Sequence, residues 1–233
     1  MKTLEITSYI GCPNMCHYCP QKLLKSEYVG VGVMTLDDFG RMLDNVPKDV
    51  RIDFSGFSEI FFHPQGSELI RASCTRGYNT ILYTTLEGFD IHSVDILKGL
   101  SFGEVVFHQW PRVDLEEFNR KIKIFTTEIQ DGRVAEITPQ WEWSRAGNVK
   151  ERKPLRGKFN CLYAAKDFNH NVLLPNGDVH ICCQDYGLKH KIGNLLETNF
   201  DDLDRSGLVE LSNQEDSDII CRKCELFQKI EDD

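Results

Sequence analysis

Three cysteines lie close together near the start of the chain, where the segment CPNMCHYC carries Cys12, Cys16 and Cys19. Three thiolates on one short loop can hold a cubane iron–sulfur cluster and leave its fourth iron without a protein ligand. An exogenous ligand can bind that open iron, as a reaction centre requires. The alternative is a structural zinc site, with His17 or a distant residue as fourth ligand. The C-x3-C-x2-C spacing favours the cluster, because zinc loops more often use paired C-x2–4-C knuckles.

A second group of cysteines lies in the C-terminal third of the chain. Its pattern is C-x15-G-x4-C followed by C-x2-C, and four ligands can converge from Cys161, Cys182, Cys221 and Cys224. Four soft thiolates suit either a [4Fe–4S] cluster or zinc, and their spacing alone does not choose between them. Cys183 could take the place of Cys182. Cys74 falls within a helical pattern, and we expect it to be a small core residue.

Alternating strands and helices must position the first cysteine group. Short apolar runs predict strands at Leu4–Ile10, Val50–Phe54, Thr80–Thr85, Glu104–Phe107 and Val134–Thr138, and helical start signals lie between them at Thr35 and Asp114. This alternation is typical of a parallel sheet, flat or curled into a barrel. In such folds the chemistry lies at the carboxyl ends of the strands, and the triplet directly follows the first strand.

The pattern changes after residue 149. A charged stretch, 150–154, ends in proline and predicts a linker, and the segment 171–181 predicts a hairpin with Asn176-Gly177 at its turn. We therefore expect a core domain over residues 1–149 and a small domain over 150–233. The second domain is too small for a large core of its own, so it needs a metal or docking onto the first.

Composition excludes several function classes. The chain has 233 residues and a formal net charge of −9, so a nucleic-acid backbone is a poor partner. We expect no membrane span, because no long apolar run occurs, and the first six residues predict a strand rather than a targeting segment. Nine cysteines, an odd number, without an export signal favour metal binding over disulfides in a reducing compartment. We expect a cytoplasmic protein.

The triplet, with an aromatic residue (Tyr18) before its last cysteine, resembles the signature of the radical S-adenosylmethionine superfamily. The resemblance implies a [4Fe–4S] cluster whose open iron chelates the amino and carboxylate groups of S-adenosylmethionine. Reductive cleavage then yields a 5′-deoxyadenosyl radical that abstracts hydrogen from a substrate. It also implies an external one-electron reductant, similar to flavodoxin or ferredoxin.

The segment FSGFSE, which follows the second predicted strand, resembles the Gly-Gly-Glu motif that binds the methionine amino group in that superfamily. Here the first glycine is replaced, and two residues separate Gly56 from Glu59. The resemblance implies that Glu59 faces the methionine ammonium. The further cofactor contacts that we expect are Tyr18, Ser55, Gly56, Ser58, His108, Gln109 and Ser144, of which His108 and Gln109 are candidates for the ribose.

The C-terminal cysteines resemble the auxiliary-cluster domain of the SPASM and twitch families, including the Cys-Cys-x-Asp run at 182–185. Ligands for only one auxiliary cluster are present, which fits the short twitch form. The stretch Ser144-Arg145-Ala146-Gly147 also recurs in these relatives, near cofactor or substrate. Together these resemblances imply a partial, open (β/α)6 barrel with a twitch tail, a hairpin plus a helix, and two [4Fe–4S] clusters.

A fully ligated auxiliary cluster can accept an electron from a substrate radical, as in the small twitch dehydrogenases that oxidise an aminocyclitol alcohol. We therefore expect oxidation of a small sugar-like or cyclitol-like substrate, with Asp185 as proton acceptor and Arg145 orienting the substrate oxygen. Two alternatives remain open. The first is a peptide-modifying radical enzyme that catalyses epimerisation or crosslinking, and the second is a non-enzymatic zinc-binding adaptor.

Overall fold

The computed structural model describes residues 1–14, 16–110, 114–137, 143–164 and 167–230. Its strands are β1 Thr3–Ile6, β2 Arg51–Phe54, β3 Thr80–Thr84, β4 Glu104–Gln109, β5 Arg133–Glu136, β6 Phe159–Cys161, β7 His170–Leu173, β8 Asp178–His180, β9 Lys191–Asn194 and β10 Phe227–Lys229. Its helices are α1 Gln21–Glu27, α2 Leu36–Asp44, α3 Gly66–Thr75, α4 Ile91–Leu97, α5 Leu115–Glu128 and α6 Ser206–Asn213. No helix among these residues is long and apolar enough to cross a membrane.

An eight-stranded sheet in the order β5-β4-β3-β2-β1-β7-β8-β9 forms the centre of the molecule. The strands from β5 to β1 are mutually parallel, and β7 also runs parallel to β1. Helices α1 to α5 lie between successive parallel strands in the chain. This arrangement confirms the predicted α/β fold, an open sheet of the partial-barrel type with a small cysteine-bearing tail.

Helices α2 and α5 begin where the predicted capping residues lie. The Thr35 hydroxyl accepts a hydrogen bond from the backbone N–H of Asp38 at 3.0 Å, and α2 follows directly. The Asp114 carboxylate accepts from the N–H groups of Glu116 and Glu117, and α5 follows. Each cap satisfies N–H groups that the first helical turn leaves without a partner.

In a regular (β/α)6 order the sixth parallel strand would pair with β5. Here the sixth parallel strand is β7, and it lies beside β1. Strand β7 pairs with β1, with Thr3 opposite His170, and no described helix separates β5 from β7. The predicted hairpin is present as β7 and β8, and it extends the core sheet directly. The remainder of the tail contains the two-stranded pair of β6 and β10, together with α6. The boundary at residue 149 stays a prediction.

The two faces of the first strands differ sharply in chemistry. Leu4, Ile6, Ile52 and Phe54 are buried in the hydrophobic core together with residues of the helices. Their neighbours in sequence, among them Glu5, point to the other face, because successive side chains of a strand alternate. Parallel strands are usually apolar on both faces. The second face of this sheet is polar, and it forms the wall of a cavity.

Candidate active site

A cavity of about 690 Å³ runs from the cysteine triplet down the polar face of the sheet. Its upper wall contains the triplet and the loop after β2. Its lower wall is built from side chains of six strands: Thr3, Glu5, Arg51, Asp53, Tyr83, His108, Arg133 and His170. The carboxyl ends of β1 and β2 therefore place the two predicted cofactor motifs side by side, as parallel strands require.

Cys12, Cys16 and Cys19 all line this cavity, in the loop between β1 and α1. Burial raises the pKa of the Cys12 thiol above its ordinary value and that of Cys16 to about 11. The backbone N–H groups of Asn14 and Glu59 oppose the shift at Cys12 by donating hydrogen bonds to its sulfur. Metal binding here must therefore release protons, and the loop already supplies donors for the resulting thiolate.

Glu59 lies at the edge of the same cavity and is 5% exposed. Its carboxylate accepts hydrogen bonds from the Thr84 hydroxyl at 2.7 Å and from the backbone N–H and hydroxyl of Thr85 at 2.6 and 2.8 Å. Burial raises the pKa of Glu59, and these donors from the end of β3 lower it. The Asn14 side chain donates to the Thr85 hydroxyl at 3.0 Å. One hydrogen-bonded chain thus connects the cysteine loop to the Glu59 carboxylate.

The loop after β2 packs tightly against β1. A Cβ at Gly56 would lie 2.4 Å from the Thr7 hydroxyl oxygen and 2.7 Å from the Ile6 carbonyl oxygen, so only glycine fits. The Ser58 hydroxyl accepts from the backbone N–H of Ser8 at 3.2 Å, and the Ser55 hydroxyl donates to Glu5 at 3.1 Å. All three predicted residues of this loop line the cavity. Gly56 permits the close approach of the two segments.

The two predicted ribose contacts have different positions. His108 lines the cavity, and its pKa is lowered to about 4 by burial and by the nearby charges of Arg133 and Arg145. The imidazole is therefore neutral at pH 7. Gln109 is not among the lining residues, and its described hydrogen bond is made by the backbone carbonyl, which accepts from the N–H of Ile137 at 2.8 Å. The structure brings only His108 to the candidate site.

Arg145 reaches the cavity from a turn of unusual backbone conformation. Arg145, Ala146 and Gly147 have φ values of 52°, 52° and 83°, and the first two are strained conformations for residues with a Cβ. The guanidinium donates to the Tyr18 carbonyl at 3.2 Å and lies 5.3 Å from the Tyr18 ring centroid. Ser144 is buried outside the cavity wall, and its N–H donates to Glu225.

The flanking Trp141 lies outside the described residues. Trp143, by contrast, lines the cavity beside Arg145.

A second, smaller cavity of about 40 Å³ lies in the tail, and it is lined by the predicted ligands Cys161, Cys182, Cys221 and Cys224. Burial raises the pKa of Cys182, and the neighbouring thiols Cys183, Cys221 and Cys224 raise it further. None of the nine cysteines, all of which lie in the described part of the chain, forms a disulfide. Cys74 is outside both cavities and packs against the core.

Cys183 differs from its neighbour Cys182. Its thiol contacts the Glu5 carboxylate and is close to Arg145, and it lines both cavities. The two cavities share a wall that consists of Glu5, Tyr163, His170, Cys183 and Gln184. The ligand cavity of the tail is therefore adjacent to the polar lower wall of the main cavity.

Asp185 does not occupy the position that proton transfer to a substrate in the main cavity requires. It is 1% exposed and lines neither cavity. Its carboxylate accepts from the backbone N–H groups of Lys189 and His190 at 3.0 and 2.8 Å and lies 3.3 Å from His180 Nδ1. Asp185 thus stabilises the loop after the cysteine pair, and the structure does not bring this predicted base to the main cavity.

The residues that sequence reasoning missed are the charged pairs of the lower wall. His170 Nε2 lies 2.6 Å from Glu5 Oε1, and Arg51 donates two hydrogen bonds to Asp53 at 2.7 and 2.6 Å. Burial opposes ionisation of Glu5, but His170 outweighs it and holds the pKa of Glu5 below its ordinary value. Burial raises the pKa of Asp53 to about 6. One signal in the sequence could have revealed these pairs: Glu5 is a charged residue within the predicted core strand Leu4–Ile10.

The cysteine sets fit iron–sulfur clusters in donor chemistry and in placement. Three thiols border a cavity with room for an exogenous ligand, and four thiols line the much smaller cavity of about 40 Å³ in the tail. Within the described ranges, no three His, Cys, Asp or Glu side chains lie close enough together to bind a single metal ion. The thiols are thus spaced around two cavities.

Comparison with known proteins agrees with this arrangement. Residues 161–225 match SPASM, an iron–sulfur cluster-binding domain. BtrN, solved in complex with AdoMet and 2-DOIA, superposes with a TM-score of 0.70 at 14% identity, over 92% of this chain and 88% of BtrN. SuiB of Streptococcus suis, bound to the precursor peptide SuiA, gives 0.60 at 14% identity, over 96% of this chain and 69% of SuiB.

A third similar structure is anSMEcpe with bound AdoMet and the Cp18Cys peptide, with a TM-score of 0.58 at 14% identity, over 96% of this chain and 86% of that chain. No curated protein sequence matches the chain. The comparisons confirm the predicted fold and the iron–sulfur character of the tail.

Proposed function

We propose that this chain, which carries a SPASM iron–sulfur domain on the fold of the radical S-adenosylmethionine enzymes, is itself a radical S-adenosylmethionine oxidoreductase. In this proposal Cys12, Cys16 and Cys19 hold the catalytic [4Fe–4S] cluster. The auxiliary cluster is held by Cys161, Cys182, Cys221 and Cys224. The observation that carries the proposal is the continuous cavity that connects the three thiols to a polar lower wall, next to a second cavity lined by four thiols.

When bound, the catalytic cluster and S-adenosylmethionine supply a radical that takes a hydrogen atom from substrate, and the auxiliary cluster supplies an electron acceptor. Glu59, fixed by four hydrogen bonds, holds the methionine ammonium. Neutral His108 contacts the nucleoside, and Arg145 orients a substrate oxygen. The protein's task is to position these groups and to keep water away from them.

Glu59→Gln is expected to weaken S-adenosylmethionine binding about tenfold or more, because a charge-assisted hydrogen bond contributes roughly 1.5–3 kcal/mol. Glutamine retains one acceptor oxygen for the backbone N–H of Thr85, so the loop keeps its strongest contact. Calorimetry on the anaerobic protein measures the affinity, and iron content should be unchanged. Glu68→Gln on α3, outside the cavity, is the matched control. Equal affinity in both variants would contradict the role of Glu59.

The lower wall supports a small, polar substrate. Glu5 with His170 and Asp53 with Arg51 present acceptors and donors next to one another, which suits a hydroxyl-rich, sugar-like or cyclitol-like molecule. Burying two ion pairs at this position costs desolvation, and such cost is typical of functional sites. The superposition on BtrN, the neighbour solved with 2-DOIA, has a TM-score of 0.70, against 0.60 for SuiB and 0.58 for anSMEcpe.

The shared wall of the two cavities supports oxidation. A substrate alcohol on the lower wall lies beside Glu5, which is held ionised by His170 and can accept the hydroxyl proton. One hydrogen atom from carbon, one proton from oxygen and one electron are then lost, which gives a carbonyl group. An external one-electron reductant of the flavodoxin or ferredoxin kind starts each cycle. We place this chemistry in the reducing cytoplasm.

Isotope transfer tests the proposed reaction. The anaerobic protein is incubated with dithionite, S-adenosylmethionine and a panel of carbon-deuterated cyclitols and amino sugars. We expect one 5′-deoxyadenosine for each carbonyl product, with deuterium in the deoxyadenosine. The control is the triplet-cysteine variant, in which Cys12, Cys16 and Cys19 are all replaced by alanine. If deuterium from the solvent appears at the reacting carbon and the product has the same oxidation state as the substrate, the reaction is epimerisation and not dehydrogenation.

Peptide modification is the second candidate, because SuiB and anSMEcpe were solved with peptides bound. With a peptide substrate, the polar lower wall would not be the main site of recognition. The peptide would be recognised elsewhere on the chain or by a partner protein. Tight binding of a peptide, with no turnover of any small polyol, would favour this candidate.

Glu5→Gln is expected to lower product formation at least tenfold while S-adenosylmethionine binding stays unchanged, since the variant removes the acceptor charge and keeps the shape. Deoxyadenosine formed without product measures the uncoupled reaction, and we expect its share to rise. Asp49→Asn, which removes an exposed carboxylate near Lys2, is the control. A variant with normal coupling would exclude Glu5 as proton acceptor.

A further inference from the structure

Tyr186 lies where the cysteine loop of the tail meets the cysteine triplet. It follows Cys182 by four residues, and its hydroxyl oxygen is 3.1 Å from the sulfur of Cys19. The side chain is 2% exposed, and its ring packs on Phe57 at a centroid distance of 4.3 Å. One short segment therefore carries a predicted ligand of the auxiliary cluster at one end and touches a predicted ligand of the catalytic cluster at the other.

The position of the Tyr186 hydroxyl is fixed from several sides. Asp185 accepts backbone hydrogen bonds from Lys189 and His190, which close the loop just beyond Tyr186. The backbone N–H of Tyr186 donates to the Gln184 carbonyl at 3.0 Å. Phe57 holds the ring in place. The contact with Cys19 is thus built into the fold.

The direction of the hydrogen bond follows from the chemistry of a ligand thiolate. A cysteine that coordinates iron has no proton, so the Tyr186 hydroxyl must be the donor. Gln21 provides a second donor, with Nε2 at 3.2 Å from the Cys19 sulfur and 2.6 Å from the Phe57 carbonyl oxygen. Cys19 is consequently the ligand of the triplet that receives side-chain donors from both α1 and the tail.

We infer that Tyr186 is a positioning residue that raises the reduction potential of the catalytic cluster and couples it to the loop of the auxiliary ligand, an inference that rests on the proposed function. A hydrogen bond donated to a ligand sulfur withdraws electron density and favours the reduced, more negative cluster. Delivery of the starting electron thereby depends on the tail being folded around its own ligands.

Tyr186→Phe removes the donor and keeps the ring that packs on Phe57. Because the hydrogen bond is stronger to the reduced, more negative cluster, its loss is expected to lower the equilibrium constant for one-electron reduction about fivefold. At 59 mV per tenfold change this is about 40 mV more negative. Potentiometric titration followed by electron paramagnetic resonance measures the shift on the two-cluster protein. The auxiliary signal is assigned from the triplet-cysteine variant, and its potential should not move.

Tyr28→Phe is the matched control, because the Tyr28 hydroxyl donates to the Val31 carbonyl at 2.6 Å and, among the described residues, makes no hydrogen bond to a cysteine sulfur. An unchanged potential in Tyr186→Phe, or an equal shift in the control, would overturn the inference. If Tyr186→Phe fails to load iron, 3-fluorotyrosine at position 186 keeps the shape and donates more strongly. It should raise the potential, and no change would again overturn the inference. Iron analysis of the wild-type protein tests the proposed function separately. If the wild type does not hold two clusters, the proposed function is refuted, whatever the potential of Tyr186→Phe.

Discussion

Replacing Cys12, Cys16 and Cys19 together by alanine is expected to abolish cleavage of S-adenosylmethionine and to remove half of the iron. The three thiols border the main cavity, which has room for a ligand, while the four tail thiols line a cavity of only about 40 Å³. A cluster ligated on all sides offers no iron to an exogenous ligand, so the surviving cluster cannot substitute for the lost one.

Anaerobic reconstitution followed by iron and sulfide analysis measures the first effect. We expect about eight irons in the wild type and about four in the variant, the content of two cubanes and of one. Deoxyadenosine formation under dithionite measures the second effect. Cys74→Ala is the matched control, because Cys74 packs against the core away from both cavities. Stoichiometric zinc with no acid-labile sulfide in the wild type would contradict the proposal and favour a zinc-binding adaptor.

Alanine at Cys182 and at Cys183 is expected to have opposite consequences. Cys182→Ala should cost the auxiliary cluster and destabilise the tail, since the binding energy of a metal site is also folding energy for a small domain. Cys183→Ala should keep both clusters. The reason is placement, because Cys183 contacts Glu5 and approaches Arg145, whereas Cys182 is grouped with Cys221 and Cys224.

Iron content and limited proteolysis of the tail distinguish the two variants. Loss of four irons with rapid cleavage within the tail is expected for Cys182→Ala alone. If Cys183→Ala loses four irons while Cys182→Ala retains them, Cys183 and not Cys182 is the ligand of the auxiliary cluster. Because Cys183 also lines the main cavity, turnover of Cys183→Ala should be measured alongside its iron content.

Local patterns were enough to predict the parallel strands and the cysteine loop. Each of those elements depends on residues that are close in sequence, such as the Thr35 and Asp114 caps or the alternation within β1. The pairing of β7 with β1 joins segments about 165 residues apart, as in the contact between His170 and Glu5. Periodicity carries no information on which strand a distant strand will join.

The same limit explains the errors at single residues. Asp185 next to a cysteine pair has the composition of a catalytic base, but only tertiary structure reveals that the loop backbone uses its carboxylate. Arg222, which lies between two cysteines in the sequence, is 1% exposed, a burial that no local pattern indicates. Its guanidinium donates to the carbonyls of Leu155, Gly157 and Gln214 and so fastens the linker to the tail.

Along β1 and β2, core-facing side chains alternate with cavity-facing side chains, so the two sets are under different constraints. Leu4, Ile6, Ile52 and Phe54 maintain the packing of the sheet on its helices, and the intervening positions line the main cavity. A substitution at Glu5 or at another cavity-facing position can therefore alter what is bound without disturbing the packing. The fold shared with BtrN at 14% identity shows that this architecture tolerates extensive substitution. For protein engineering, the cavity-facing positions of these strands are suitable sites for a mutagenesis library.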